Sequence, residues 1–401
     1  MRATRAIIHI EHLRHNIRLI RKHVADNRPA RPPHMCIAVK ADAYGHGIVQ
    51  IGQAAVQEGV EMLAVATVDE AVMLREAGIP VPLLIYSLPI PEELSAIIEY
   101  GLTPLLADVQ MVRELSREAE RRERSVAVHM KIDTGMGRIG CRPEDALQLA
   151  REITGSGRLH LSGVSTHFAG SDLEDKSFTS GQIEIFTRTL ESIRTAGIDP
   201  GIIHAANSGA VLDCPEAYFD MIRPGILIYG YYPSEEQEKT IDIRPVMELE
   251  SQVVFLKRVQ RDTPISYGMT YRTAGETVIG TVPVGYGDGY SRLLSNRARM
   301  LVNGESFPIA GRVCMDQCMV DLGPNPEVAR YDKVTLFGPD RAGPDAAELA
   351  RTIGTIAYEV TCAISRRVPR VYVDEPGAAS DGLRPSAAVA PTVAQDSLQS
   401  R

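Results

Sequence analysis

No stretch of this chain combines clustered Lys and Arg with interleaved aromatics, and the formal net charge is −8, from 43 Lys plus Arg against 51 Asp plus Glu. Both features argue against a nucleic-acid surface, which needs a basic footprint to meet phosphate. No apolar run approaches the ~20 residues of a membrane-spanning helix. The opening MRATRAIIHIEHL has neither a signal-peptide core nor a small-residue cleavage site, so the expected compartment is the cytoplasm. The six cysteines, at 36, 141, 214, 314, 318 and 362, follow no framework spacing and read as reduced thiols. Cys314 and Cys318 are four apart, but no second Cys or His pair follows at zinc-site spacing, so no metal is expected. A Gly-rich dinucleotide turn after the first strand, the mark of an open doubly wound sheet, is also missing.

What the chain does have is regular alternation. Its 401 residues, 44% hydrophobic and 23% charged, give material for one domain of about 250 residues and a smaller one. After an amphipathic helix at about 11–25, apolar runs fall near 35–39, 62–66, 82–86, 103–106, 126–131, 160–165, 201–204 and 219–222. Helix-like stretches lie between them, such as 69–78, 91–101, 109–124 and 144–157, several opening on Asp or Pro and closing on Gly. Eight apolar runs separated by crossover-length helices predict α/β architecture, a closed (β/α)8 barrel over residues 8–240. From 241 to 375 the texture turns to β, with Asn303-Gly304 as a hairpin signal. One helical segment at 346–365 interrupts it before RVYV at 370–373. The Ala/Pro/Ser-rich tail, 376–401, is expected to be disordered.

In such a barrel, catalytic residues collect at the carboxyl ends of the strands, and phosphate binds after strands 7 and 8. Strand 1 ends on Lys40, strand 5 offers Lys131 and Arg138, and strand 6 offers His167. Strand 7 leads to Asn207 and Ser208, and strand 8 to Arg223, Gly225 and Ile226. Taken singly, each has a plainer explanation: a satisfied structural histidine, a helix cap, a surface charge. Together, at strand ends, they point to a site. A lysine where a buried strand empties into a loop can form a Schiff base, as pyridoxal phosphate requires. Ser208 and the amides of Gly225 and Ile226 suit its phosphate. Arg223 facing the ring nitrogen can only donate, which weakens the ring as an electron sink and suits proton removal and return over transamination.

The strings AVKADAYGHG, KIDTGMGRIG, STHFAGSD, HAANSGA, RPGILIYG, ISYGMTY, VGYGDGY, GRVCMDQ and AYEVTCAIS occur in that order. On them the chain resembles the alanine racemases, from about residue 5 to 375. The resemblance implies interconversion of L- and D-alanine, supplying peptidoglycan, by a homodimer with shared sites. It makes Lys40 the cofactor lysine and one base, and Tyr267, delivered from the partner subunit, the opposite base. Tyr44, Ser208, Gly225, Ile226 and Tyr358 would hold the phosphate, with Asn207 beside them. Arg138 would hold the phenolic oxygen and the substrate side, and Met315 the substrate carboxylate through its amide. His167 would bridge Tyr267 and Arg223, the pair lending positive potential to the phenol. Tyr286, Arg292 and Asp316 would shape the entrance, and Lys131 matches a lysine that many members carry as a carbamate. The sequence departs from the family at Gly287, where Ala is commoner, and at Ala357, often Pro. Neither removes a reacting side chain, but the entrance width is touched.

Three other activities fit parts of the pattern. A basic amino acid decarboxylase would want an acid at the ring nitrogen, which Arg223 opposes. A racemase of serine or lysine differs only in packing around the side chain, worth a few kcal/mol. A non-catalytic cofactor-binding barrel needs neither the β domain nor Tyr267.

Overall fold

The computed structural model describes residues 2–374, so the expected tail lies outside the described residues. In chain order the strands begin with β1 (Arg5–His9), which belongs to the second sheet. Then come β2 (His34–Ala38), β3 (Met62–Val65), β4 (Leu83–Ile85), β5 (Thr103–Leu106), β6 (Val126–Lys131), β7 (Leu159–Ser165), β8 (Ile202–His204) and β9 (Met221–Ile222). These eight are parallel, and β9 returns to β2 through His34↔Met221 and Met35↔Ile222, closing the barrel. Strands buried on both faces need unbroken apolar runs, and every residue of β3, β4 and β5 is buried.

The helices cover the barrel with one apolar stripe each. In Val109–Arg121 the buried residues Val112, Leu115 and Ala119 share a face, and Asp108 caps the first turn by accepting the Met111 amide at 2.8 Å. Thr67 and Glu70 form a reciprocal capping box on Val68–Glu76.

The barrel interior is divided by chemistry. Cys36, Met62, Ala64, Leu84, Leu105 and Met221 form one apolar plug. Fully burying each larger side chain of this plug stabilises the fold by ~1.5–3 kcal/mol. On the side built from β6 to β9, strand alternation turns His129 and Lys131, Gly163 and Ser165, and His204 inward, with Arg223 just past β9. All five of those side chains other than glycine are buried, so a polar wedge occupies half of the barrel's heart.

The second unit contains β10 (Met247–Gln252), β11 (Phe255–Val259), β12 (Pro264–Ile265), β13 (Tyr271–Arg272), β14 (Thr277–Val282), β15 (Arg299–Val302), β16 (Glu305–Pro308), β17 (Cys318–Asp321), β18 (Lys333–Phe337) and β19 (Arg370–Val373). One sheet runs β16–β15–β18–β10–β1–β19; another is β11–β14–β17. Asn303 (φ 50°) and Gly304 (φ 85°) turn β15 into β16 as their residue types dictate. The N-terminal β1 inserts between β10 (antiparallel) and β19 (parallel). The helix Ile10–Asn27 then carries the chain to the barrel, pinned by buried Asn16, whose amide donates to the carbonyls of Ile228 and Arg244.

The segment expected as one helix over 346–365 is two, Ala346–Ile353 and Ala357–Cys362. Gly354 takes a left-handed conformation (φ 76°) and the Thr355 amide turns back to the Ala350 carbonyl at 2.9 Å, a helix-ending pattern that favours glycine. The second helix is thereby redirected against the loop after β2, where a Cβ on Gly45 would lie 2.2 Å from the Thr361 carbonyl oxygen. Among the described residues no helix is long and apolar enough to cross a membrane.

Candidate active site

Directly after β2 the chain makes a left-handed turn. Ala41, Asp42, Ala43 and Tyr44 all have φ of 53–54°, a conformation costing a non-glycine residue roughly 1–2 kcal/mol each. Three contacts hold it. Glu70 accepts the Ala41 amide at 2.6 Å on one oxygen and the Ala66 amide at 2.9 Å on the other. Asp42 accepts the Ile48 amide at 2.8 Å, and the Gly45 amide reaches the Ala41 carbonyl at 3.0 Å. The turn fixes Lys40 at its start and buries Tyr44 at its end. A loop after Lys40 is what the sequence predicts, but its left-handed form and its Glu70 anchor follow from no local pattern, because that contact joins two crossover segments.

Lys40 opens onto a cavity of about 400 Å³ lined by Tyr44, Lys131, Arg138, His167, Asn207, Ser208, Arg223, Gly225, Ile226 and Tyr358 among others. Ten of the sequence-derived positions therefore meet Lys40 in one space, including Tyr358 from the second unit. Its ammonium lies 5.9 Å from the Tyr86 ring centroid. Burial, then Arg138, lowers the Lys40 pKa, making the free amine more available as a nucleophile.

At one end of the cavity the groups match an oxyanion. Ser208 Oγ accepts the Gly225 amide at 2.8 Å, and Asn207 caps the Ser208–Asp213 helix while accepting from Ser171 Oγ at 2.6 Å. Tyr44 packs on Tyr229 (4.8 Å) and Tyr358 (5.8 Å). A Cβ on Gly225 would lie 2.8 Å from the Tyr44 hydroxyl, so glycine is needed for that hydroxyl to enter. Among the described residues neither the Tyr44 nor the Tyr358 hydroxyl makes a hydrogen bond, nor does the Ile226 amide donate one.

At the other end Arg223 is buried. Nη1 donates to His204 Nδ1 at 2.8 Å, and Nη2 to the carbonyls of Thr166 (2.7 Å) and Ala205 (2.9 Å) and to His167 Nδ1 (3.3 Å). A guanidinium never accepts, so both imidazoles carry their proton on Nε2. His204 Nε2 then donates to His129 Nδ1 at 2.8 Å. Burial first, and Arg223 next, keeps all three rings neutral: His129 falls to about 3, and His167 and His204 are held well below the usual imidazole value. Of the His167–Arg223 pair expected to lend positive potential, Arg223 alone carries the charge, because low polarity beside a fixed cation disfavours a second one. Among the described residues no carboxylate pairs with it. Lys131 is pushed well below its ordinary value by burial, then by Arg223 and Arg138. Sequence reasoning missed His129, His204 and Tyr86. The signal for His204 was its place as the last residue of β8.

The remaining positions form a separate group on the second unit, outside this cavity. Tyr267 (73% exposed) follows Ser266 after β12, and Met315 is 53% exposed. Tyr286 donates its amide to the Cys314 carbonyl at 3.0 Å, placing it beside Met315 and Asp316; Arg292 starts the short turn Arg292–Leu294. Among the described residues the Met315 amide donates to no partner. Within one chain, therefore, Lys40 and Tyr267 are not brought together.

Comparison with known proteins gives a consistent result over both units. The family model "Alanine racemase, N-terminal domain" matches residues 8–233, and "Alanine racemase, C-terminal domain" matches 246–372. An alanine racemase of Treponema denticola is 48% identical over 382 residues, covering 94% of this chain and 99% of its own length. One from Desulfovibrio desulfuricans is 42% identical over 92% of this chain and 98% of its own. Among solved structures, alanine racemase of Clostridium difficile 630 superposes with a TM-score of 0.88 at 36% identity, covering 93% of this chain and 96% of the other. The Bacillus anthracis alanine racemase with bound L-Ala-P gives 0.85 at 34%, covering 93% and 95%.

Proposed function

The chain belongs to the alanine racemase family and interconverts L- and D-alanine, and we propose that it does so by two-base proton exchange with pyridoxal 5′-phosphate as cofactor. The residues present fit that group. The Tyr44 hydroxyl admitted by Gly225, the Tyr358 hydroxyl and the Ile226 amide, none of them hydrogen-bonded among the described residues, suit its phosphate beside Ser208 and Asn207. Lys40 suits its aldehyde and Arg138 its phenolic oxygen. When bound, the cofactor withdraws electrons and acidifies the α-hydrogen of the amino acid.

The chain's own residues divide the rest of the work. Lys40 Nζ exchanges a proton on one face of the substrate, and Tyr267 Oη of the partner subunit on the other. Arg223 is the observation that carries the reading. A buried guanidinium with no acid partner would donate to the ring nitrogen without protonating it, which would keep electron withdrawal moderate and favour proton return over other fates. The same uncompensated charge lies in the cavity that Lys40 lines, where His167 keeps its proton on Nε2. The Met315 amide takes the substrate carboxylate, and Tyr286, Arg292 and Asp316 border the approach. A carbamate on Lys131, whose ammonium form is disfavoured where it lies, would set an anion between Arg138 and Arg223. D-alanine for peptidoglycan, made in the cytoplasm, is the product role that goes with this reading.

Because Tyr267 lies outside the Lys40 cavity of its own chain, a homodimer with shared sites completes the reading. Complementation tests it. Lys40→Ala and Tyr267→Phe chains are each expected to be inactive. Mixed and reassembled one to one, they regain about a quarter of wild-type activity, since half the dimers are mixed and each holds one intact site. No recovery from a mixture shown by mass to contain heterodimer rules out sharing.

A further inference from the structure

The loops that carry Tyr286 and Met315 are joined by an ion-pair ladder. Asp288 is fully buried; its Oδ2 accepts the Gly285 amide at 3.0 Å. Its Oδ1 faces Arg2 Nη1 at 2.5 Å and Arg367 Nε at 2.8 Å. Arg367 extends past it, and Nη2 meets Asp316 Oδ1 at 2.5 Å. Backbone bonds run alongside, including Gly287 amide to Met315 carbonyl at 2.9 Å. Two nitrogens of one planar guanidinium thus serve two carboxylates at fixed spacing, which a single ammonium on a flexible stem does less rigidly.

Gly287 makes the span possible. A Cβ there would lie 2.8 Å from Arg367 Nη1 and 3.1 Å from the Met315 carbonyl oxygen. Gly287 is not among the glycines with positive φ, so its backbone does not demand glycine; the guanidinium takes the space a methyl would fill. Asp316 follows directly on the amide assigned to the substrate carboxylate, and an unpaired anion there would repel that carboxylate.

We propose that Gly287 and Arg367 are positioning residues for substrate binding: the missing side chain admits the guanidinium, which holds the Met315–Asp316 loop to Asp288 and neutralises Asp316. This rests on reading Met315 as the carboxylate donor. The proton carriers are not touched, so the effect falls on KM.

Steady-state racemisation by the cofactor-loaded dimer tests it. Arg367→Met is expected to raise KM for L-alanine roughly tenfold with kcat within about twofold, and Gly287→Ala roughly threefold, the signature of lost ground-state binding. Adding Asp316→Asn to Arg367→Met recovers most of the KM, which a purely structural defect would not do. Arg367→Lys falls between wild type and Arg367→Met. Wild-type KM in both single variants, or equal losses in kcat and kcat/KM with no recovery in the double variant, overturns the proposal. Tyr267→Phe separates the two levels. If it abolishes turnover while Gly287→Ala and Arg367→Met keep wild-type KM, only this inference fails; if it retains full turnover, the shared site itself is wrong.

Discussion

Arg223 shows how one side chain can set the outcome of a reaction. Its Nη1 and Nη2 are committed to two imidazole nitrogens and two carbonyls, so the guanidinium cannot turn away, and its neutral neighbours leave its charge whole. Arg223→Glu, giving the ring nitrogen an acid partner, is expected to raise pyruvate formed per racemisation event at least tenfold, about 1.4 kcal/mol in relative barrier. An unchanged ratio in cofactor-loaded protein would disprove the role. Lys40, His167, Ser208 and Arg223 were legible because parallel strands bring every strand end to one mouth. Their charge states were not, since His167 is neutral through burial that only the packed barrel defines. Glu70 and Tyr86 escaped notice because each acts across elements, with no motif to mark it.

Among the elements, the left-handed turn at Ala41–Tyr44 is the most expensive. Glycine adopts its dihedrals freely, but also loses more freedom on folding, by roughly 0.5–1 kcal/mol. Ala41 is exposed, so Ala41→Gly removes no packing. The variant is expected to be more stable by up to about 1 kcal/mol in urea unfolding; destabilisation beyond that amount would mean the turn is not strained. The apolar runs announced the barrel strands nearly residue for residue, since burial on both faces leaves little choice of composition. Two elements were hidden for opposite reasons. β1 is only five residues long and runs straight into a helix, so its three buried residues carry no periodicity. The break at Gly354 sits inside a convincing helical pattern, and one glycine there reads equally well as a tolerated weak point.

Over the whole molecule, three buried histidines and the half-buried His167 set how stability responds to acid. His46 falls to about 4 and His129 to about 3, and His167 and His204 lie well below their ordinary value, burial leading in each case. In the unfolded chain each titrates near 6.5. Below that pH unfolding takes up protons, so their contribution is full above about 6.5 and shrinks as the pH falls toward the folded values. Between pH 6 and 5 the expected loss approaches about 1.4 kcal/mol per pH unit for His46 and for His129, with His167 and His204 adding in the same direction. Paired carboxylates such as Glu248, lowered to about 2, add to this only under pH ~4.5. Melting temperature followed from pH 8 to 5 checks it: a flat profile down to pH 5 would show these rings charged in the native state.

The seat of β1 between β10 and β19 has a consequence for biosynthesis. The first strand leaves the ribosome about 240 residues ahead of its earliest partner, a wait of roughly 10–50 s at ~5–20 residues per second. Through that interval Ala6, Ile7 and Ile8 are an unpaired greasy edge, while the barrel beside them can already close. The nascent chain thus has its most aggregation-prone moment before its second half exists, and a chaperone that shields the amino terminus would act at that stage.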